Sequence, residues 1–415
     1  MMSPFPSSSE SRQPHAGGES LSEAVFDSSS VRKLIPEKYH EHLDELLENI
    51  RAFCREFDIP NDALRSVETF GTELTSKKIP PKRMAEAVSL FESLHGLVSN
   101  PEYFEEAEHL YNLKEQYAFQ FNFLKEVGIL NERNAIVGVD GREYPVPTLE
   151  QIAQRLHERE KDLSIKRDQG FMKLLLVPFG MSFDVLCGIL RRFLLAYKKD
   201  HPDFNLNTKI PLQAAPGYEE TDLEDPPPFV YHPESFDKDH HQGQTKLGIL
   251  RDQSVNKSSS FCGWRVHFFQ PSNPGDQGSG GIAFIPRKGQ GKVCGEENPR
   301  ADFEAGKAPN DYLSILQKAK EDFASPYHGE SGLTPEDWIL AFMTHLIQTG
   351  EPLDYYDDKR DSITSLIGVF CPSISLVPVA SWYHGWKDTP YQVDLIGNNP
   401  DTQVESVGVR TSVIV

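Results

Sequence analysis

No two cysteines in this chain stand close enough in sequence to form a CxxC pair. The five present, Cys54, Cys187, Cys262, Cys294 and Cys371, are scattered and odd in number. That excludes a disulfide framework and a zinc knuckle, and it points to reduced thiols in a cytoplasmic compartment. Positive charge is also short: 42 Lys and Arg face 62 Asp and Glu, a formal net charge of −20. A nucleic-acid backbone or an anionic membrane is therefore excluded as the main partner. The N-terminal stretch MMSPFPSSSESRQPHAGGES holds no apolar core of a secretory signal. Long apolar runs are missing too. Leu174–Leu190 approaches the length of a membrane span, but Pro178, Gly180 and Asp184 interrupt it and Arg191 and Arg192 follow. A buried strand, turn and helix is the expected reading. No glycine-rich phosphate cradle with a Lys-Ser or Lys-Thr pair occurs, and no catalytic signature stands out.

What is present divides into three parts. Residues 1–35 are rich in Ser, Pro and Gly and read as a disordered tail. Residues 36–166 carry helical periodicity. Glu37–Phe57 spaces Tyr39, Leu43, Leu46, Leu47, Ile50 and Phe53 by threes and fours, and Pro81–Leu97 repeats the pattern. A third helix is expected from Pro101 without interruption to Leu124, so a small bundle is predicted over roughly 36–130. A β-hairpin follows near 135–146, with Asp140-Gly141 as a two-residue turn, and Thr148 with Gln151 forms a capping box for the next helix.

The third part, residues 167–415, is mixed in pattern. FMKLLLVPF reads as a buried strand, and Ser182 is placed to cap the helix after it. Residues 200–260 are irregular and proline-rich, a long insertion that contains Asp237, Asp239, His240 and His241. Strand character returns at Trp264–Phe269. Helices are expected at Asn310–Phe323 and from Thr334, where Pro335 takes the first position and Glu336 and Asp337 suit the positive end of the helix dipole. The chain closes on VGVRTSVIV, an apolar, β-branched stretch that predicts a terminal strand tied into a sheet.

Two stretches carry a family resemblance. SGLTPEDWILAF (331–342) is similar to the helix start of proteins related to the formylglycine-generating enzyme, and VGVRTSVIV (407–415) resembles their closing Gly-x-Arg strand. The same ending is found in the variable proteins diversified by bacterial retroelements. The resemblance implies a C-type-lectin-like domain over the C-terminal part. The fold class expected is therefore α+β, an N-terminal helical region followed by a C-type-lectin-like mixed α/β domain. In the variable proteins, ligand contacts lie just upstream of the closing strand, which here means Trp382 to Asn399. Arg410 stands at the family's closing arginine and is expected to bond across the terminal sheet. The oxidase activity is not implied, because the copper-binding cysteine pair is represented only by Cys371.

The leading expectation is a binding module for an unidentified protein or small-molecule ligand. The candidate surface comprises Trp382, Tyr383, His384, Trp386, Lys387, Asp388, Tyr391, Asn398 and Asn399. Aromatic side chains offer rigid contact area at low entropic cost, and Asn and Asp add adaptable hydrogen bonds. The competing expectations are a metal-dependent enzyme, built from His240, His241 and the acidic run Asp354-Tyr355-Tyr356-Asp357-Asp358, and a structural or regulatory protein with no catalytic site. The sequence names no cofactor.

Overall fold

The computed structural model describes residues 37–60, 67–77, 101–215, 229–255, 261–272, 280–287, 292–293, 296–297, 301–355, 363–384 and 389–415, with isolated positions between 32 and 98. The chain divides into two compact units, Met1–Phe104 and Glu105–Val415. The sequence placed a boundary near 167.

In the first unit a short 3-10 turn, Glu37–Tyr39, leads into α1, His40–Phe57. Its apolar stripe is buried through Leu43, Leu47, Ile50 and Phe53, as the spacing predicts. Helix α2 is Val67–Ser76, and within this unit Phe70 stacks on Phe91 at 5.1 Å. Most of the expected helix over 81–97, and all of the tail over 1–31, lies outside the described residues.

The expected uninterrupted helix from Pro101 is in fact two, α3 (Pro101–Tyr111) and α4 (Leu113–Glu126). Asn112 between them has φ of 48°, the left-handed conformation that asparagine tolerates better than other residues with a Cβ. After the break α4 turns onto a strand of the second unit, which is why the compact unit begins near 105.

Strands β1 (Ala135–Val137) and β2 (Glu143–Pro145) pair with Val137 opposite Glu143. The turn is therefore longer than the expected two residues. Gly138 and Arg142 remain bonded, the Gly141 amide donates to the Gly138 carbonyl at 2.9 Å, and only Gly141 has positive φ. A two-residue turn of the mirror-image type needs positive φ at both central residues, and Asp140 does not adopt it. Helices α5 (Leu149–Glu158), with the predicted Thr148–Gln151 capping box, and α6 (Glu160–Asp168) follow.

Strand β3 (Lys173–Val177) and helix α7 (Phe183–Asp200) confirm the buried strand-turn-helix. No helix among the described residues is long and apolar enough to cross a membrane. Ser182 does sit at the N-cap of α7, but its hydroxyl bonds the Asp184 carboxylate and no backbone amide. Within the long insertion lie β4 (Leu212–Ala214), β5 (Val230–Tyr231) and α8 (Lys246–Val255). Next come β6 (Arg265–Phe269), a short pair β7 (Lys292–Val293) and β8 (Glu296–Glu297), α9 (Pro309–Glu321), β9 (Glu330–Gly332) and α10 (Pro335–Thr349). The C-terminal part adds β10 (Ile363–Ser365), β11 (Val369–Phe370), β12 (Val377–Tyr383), β13 (Gln392–Asn398), β14 (Val407–Gly408) and β15 (Thr411–Ile414).

Two sheets organise this unit, one in the order β3-β6-β15-β9 and one in the order β14-β10-β12-β13-β4. Helix α10 packs against β3 of the first sheet, β12 of the second, and α7, and Trp338 to Met343 and Leu346 are wholly buried along it. The chain is thus α+β, with a central apolar helix between sheets. The expected single closing strand proves to be two. Val407 and Gly408 pair with β10 in the second sheet, and Thr411–Ile414 lies between β6 and β9 in the first. The Arg410 side chain turns inward at the crossing.

Candidate ligand cleft

Helix α7 ends where Tyr197 and His201 fall one turn apart. The His201 amide donates to the Tyr197 carbonyl at 2.8 Å, and the two rings stack at 4.0 Å and 17°. The chain then folds back through Phe204 to meet the start of β13. The Tyr391 amide donates to Asn205 O at 3.0 Å and the Asn207 amide to Tyr391 O at 2.6 Å. From the other side, α10 stops at Gly350, whose φ of 75° makes the left-handed C-cap, and Glu351 to Tyr355 run beneath β12. The Trp382 amide donates to Asp354 O at 3.0 Å.

These segments enclose an open cleft of about 610 Å³. Five aromatic side chains line it, Tyr197, Phe204, Tyr355, Trp382 and Tyr391, with His201, Asp203, Asn205 and Glu351 among the polar groups. Trp382 forms the back wall. Its indole stacks on Phe204 at 5.0 Å and on Tyr391 at 5.8 Å, with Phe342 of α10 behind it at 6.0 Å. Tyr391 meets Tyr355 edge to face at 5.2 Å and 88°, so two ring planes form a corner.

The predicted binding residues are divided by this geometry. Trp382 and Tyr391 line the cleft. Tyr383 points to the other face of β12, because successive strand side chains alternate. It is half-buried and stacks on His384, which in turn meets Tyr391 at 5.2 Å and 90°. Trp386, Lys387 and Asp388 lie outside the described residues. Asn398 and Asn399 do not belong to this surface. Asn398 pairs with Val377 while Gln392 pairs with Tyr383, so the asparagines sit at the opposite end of the hairpin, roughly 20 Å away at the usual rise per residue. There Asn399 Oδ1 accepts the Asp401 amide, and the Asn310 amide of α9 donates to Pro400 O. That turn holds the fold together. Sequence reasoning missed Tyr197, His201, Asp203 and Phe204, about two hundred residues upstream. The aromatic spacing Tyr197, His201, Phe204 at a helix end was the signal available.

Comparison of the chain with family models, with curated proteins and with solved structures finds no match to any of them.

The remaining polar chemistry is mostly sealed inside. Arg410 Nη2 pairs with Asp354 Oδ1 at 2.6 Å and Nη1 bonds the Ala283 carbonyl, while Asp354 Oδ2 accepts Trp338 Nε1 at 2.6 Å and the Thr364 hydroxyl. Arg410 thus enters a buried ion pair at the crossing of the two sheets. The same pairing bears on the residues of the alternative metal site. Asp354 is fully committed, His240 is exposed and paired with Asp237 at 3.0 Å, and residues 356–358 lie outside the described ones. Among the described residues, the group with ligand atoms close enough for a metal is Glu106, His157 and Glu160. Its His157 Nδ1 already faces Glu106 at 3.0 Å, an ordinary surface ion pair.

Lys246 pairs with Glu336 at 2.8 Å and Lys166 with Glu330 at 2.9 Å, both buried. His267 Nδ1 lies 2.8 Å from Ser412 Oγ and its Nε2 lies 3.1 Å from Asp337 Oδ1. These are the residue types of a nucleophilic triad, but all three are buried and Ser412 is wholly enclosed, so no substrate reaches its oxygen. The Asp337 carboxyl is held below the usual carboxylate range. Burial alone would raise it, and His267, Arg265 and the Thr334 amide together outweigh that.

A second cleft, of about 820 Å³, lies between α9, β9 and the turn at His232. Its rim mixes Lys320, His232 and His328 with Glu234 and Glu321, and Glu330 at its edge is tied to Lys166 and Thr411. The balance of charge there selects no ligand.

Proposed function

We propose that this protein is a cytoplasmic binding module, and that the aromatic cleft at the start of the β12–β13 hairpin is its ligand site. One observation carries the reading. Five aromatic side chains from four separated segments of chain converge on one open concavity, whose size falls in the range of small-molecule sites. Aromatics converge in cores as well, but a core closes around them and this cleft opens to solvent. In the proposed scaffold the C-type-lectin-like resemblance places contacts just before the closing strand, and Trp382 and Tyr391 fall in that interval. The capping box that opens α10 and the interior position of β15 support the same reading of the scaffold. The scattered, odd-numbered set of five cysteines supports a reducing compartment.

The test is a ligand-observed magnetic-resonance screen of small molecules and short peptides against the full chain and Tyr391→Ala. Tyr391 is half-buried at the cleft wall, so the variant is expected to keep its fold and lose the ligands that the wild type binds. If every ligand found binds Tyr391→Ala equally well, the cleft is not the site.

A further inference from the structure

We infer that the cleft takes its ligand through an alkylated ammonium group, free or at the end of a methylated side chain. The inference rests on the cleft being a ligand site and adds the chemistry it selects. The faces of the cleft rings carry the negative lobes of their quadrupoles, which attract a cation placed within about 6 Å of a ring centre. Asp203 and Glu351 add two carboxylates to the wall, and no Lys or Arg lines the cleft among the described residues. An anionic ligand is thus disfavoured twice, by the carboxylates and by the ring faces. The formal net charge of −20 draws cations towards the molecule from further out.

The shape selects further. The rings of Tyr391 and Tyr355 stand perpendicular at 5.2 Å, so a rounded group entering the corner meets ring surface on more than one side. A primary ammonium is strongly hydrated and must replace three donated hydrogen bonds, which ring faces do not supply and two carboxylates supply only in part. A trimethylated nitrogen donates none, spreads its charge over apolar methyl groups and gives up little hydration. Ring faces with carboxylates nearby therefore favour the alkylated form.

Calorimetric titration of the full chain with four probes tests this: choline, its neutral isostere 3,3-dimethylbutan-1-ol, a trimethyllysine peptide and the same peptide unmethylated. The expected result is choline binding about tenfold or more tighter than the isostere, as a desolvated cation–π contact implies. Choline affinity is also expected to fall with salt, and Asp203→Asn combined with Glu351→Gln is expected to flatten that dependence. A free amine as the natural ligand gives choline without peptide preference; a protein-borne one gives the methylated peptide as the tighter probe. Equal binding of choline and the isostere, both lost in Tyr391→Ala, overturns the inference while leaving the cleft as a binding site. Absence of saturable binding by choline and by the methylated peptide overturns it as well, and the broader screen then decides on the cleft itself.

Discussion

At the scale of single residues, the buried charges were the least legible feature. Glu336 and Asp337 read as first-turn carboxylates suited to the helix dipole, and Asp337 does close the predicted capping box. Both are also wholly buried, because their partners arrive from far away in sequence: Lys246 from α8, and Arg265 and His267 from β6. Periodicity reports which face of a helix is apolar and carries no information on which distant cation will cover its polar end. His345 on α10 is packed in the interior. Its Nδ1 accepts the Ile282 amide at 2.9 Å, and burial first, then Arg410 and Lys173, hold its pKa down at about 3 against an ordinary 6.5. The unfolded chain takes up a proton near pH 6.5 and the folded chain does not until about pH 3. This group's contribution to stability is thus complete above pH 6.5 and is lost as the pH falls towards 3. Between pH 7 and pH 5 it amounts to about 2 kcal/mol. Urea denaturation at the two pH values is expected to show a loss larger by that amount in the wild type than in His345→Gln, whose amide oxygen still accepts from Ile282; buried His232, also held at about 3, contributes equally to both proteins. Equal losses in both proteins would assign the acid sensitivity elsewhere.

At the scale of elements, strands and helices with strong patterns were read correctly and their junctions were not. Lys173–Val177, Arg265–Phe269 and the helix from Thr334 stand where the sequence put them. The break at Asn112 was missed because the aromatic spacing continues across it, and the closing stretch was read as one strand because both its halves are β-branched. The function of α4 was hidden for a different reason. Strand β3 is at the edge of its sheet, and an uncovered edge leaves backbone groups unpaired. Gln116 of α4 covers them: its Oε1 accepts the Leu174 amide at 2.9 Å and its Nε2 donates to the Met172 carbonyl at 2.9 Å. Gln120, four residues on and so on the same face, reaches the Leu176 amide at 3.5 Å. Two glutamines on one face of an otherwise aromatic helix were the readable hint. Gln116→Leu keeps the volume and orphans both backbone groups, so it is expected to destabilise the protein by about 2–4 kcal/mol, from the cost of leaving a buried donor and an acceptor unmade. Faster amide exchange at Leu174 should accompany the loss. Unchanged exchange there would mean that α4 does not protect the edge.

At the scale of the whole molecule, composition was informative about charge and weak about boundaries. The helical N-terminal character was legible, yet the compact units divide within α3, because α4 spends its buried face on β3. The cleft was legible in part. Its two C-terminal aromatics were named, and the four residues from the end of α7 were not, since their aromatic spacing marks a sticky helix end without saying which remote hairpin it faces. Net charge acts on all of this at once. The buried pairs are shielded from solvent ions, but most of the acidic and basic side chains among the described residues are surface groups whose fields salt can screen. Exposed pairs such as Arg55–Glu48 contribute about 0–1 kcal/mol each, so screening them costs little. Screening the repulsion among the excess carboxylates relieves a term that grows with the square of net charge. The melting temperature is therefore expected to rise, by a few degrees, as sodium chloride is raised from about 10 to about 150 mM, where the Debye length falls from about 30 to about 8 Å. A melting temperature that falls over the same range would show that surface ion pairs outweigh the net repulsion, and that the acidic excess is distributed so as to be locally compensated.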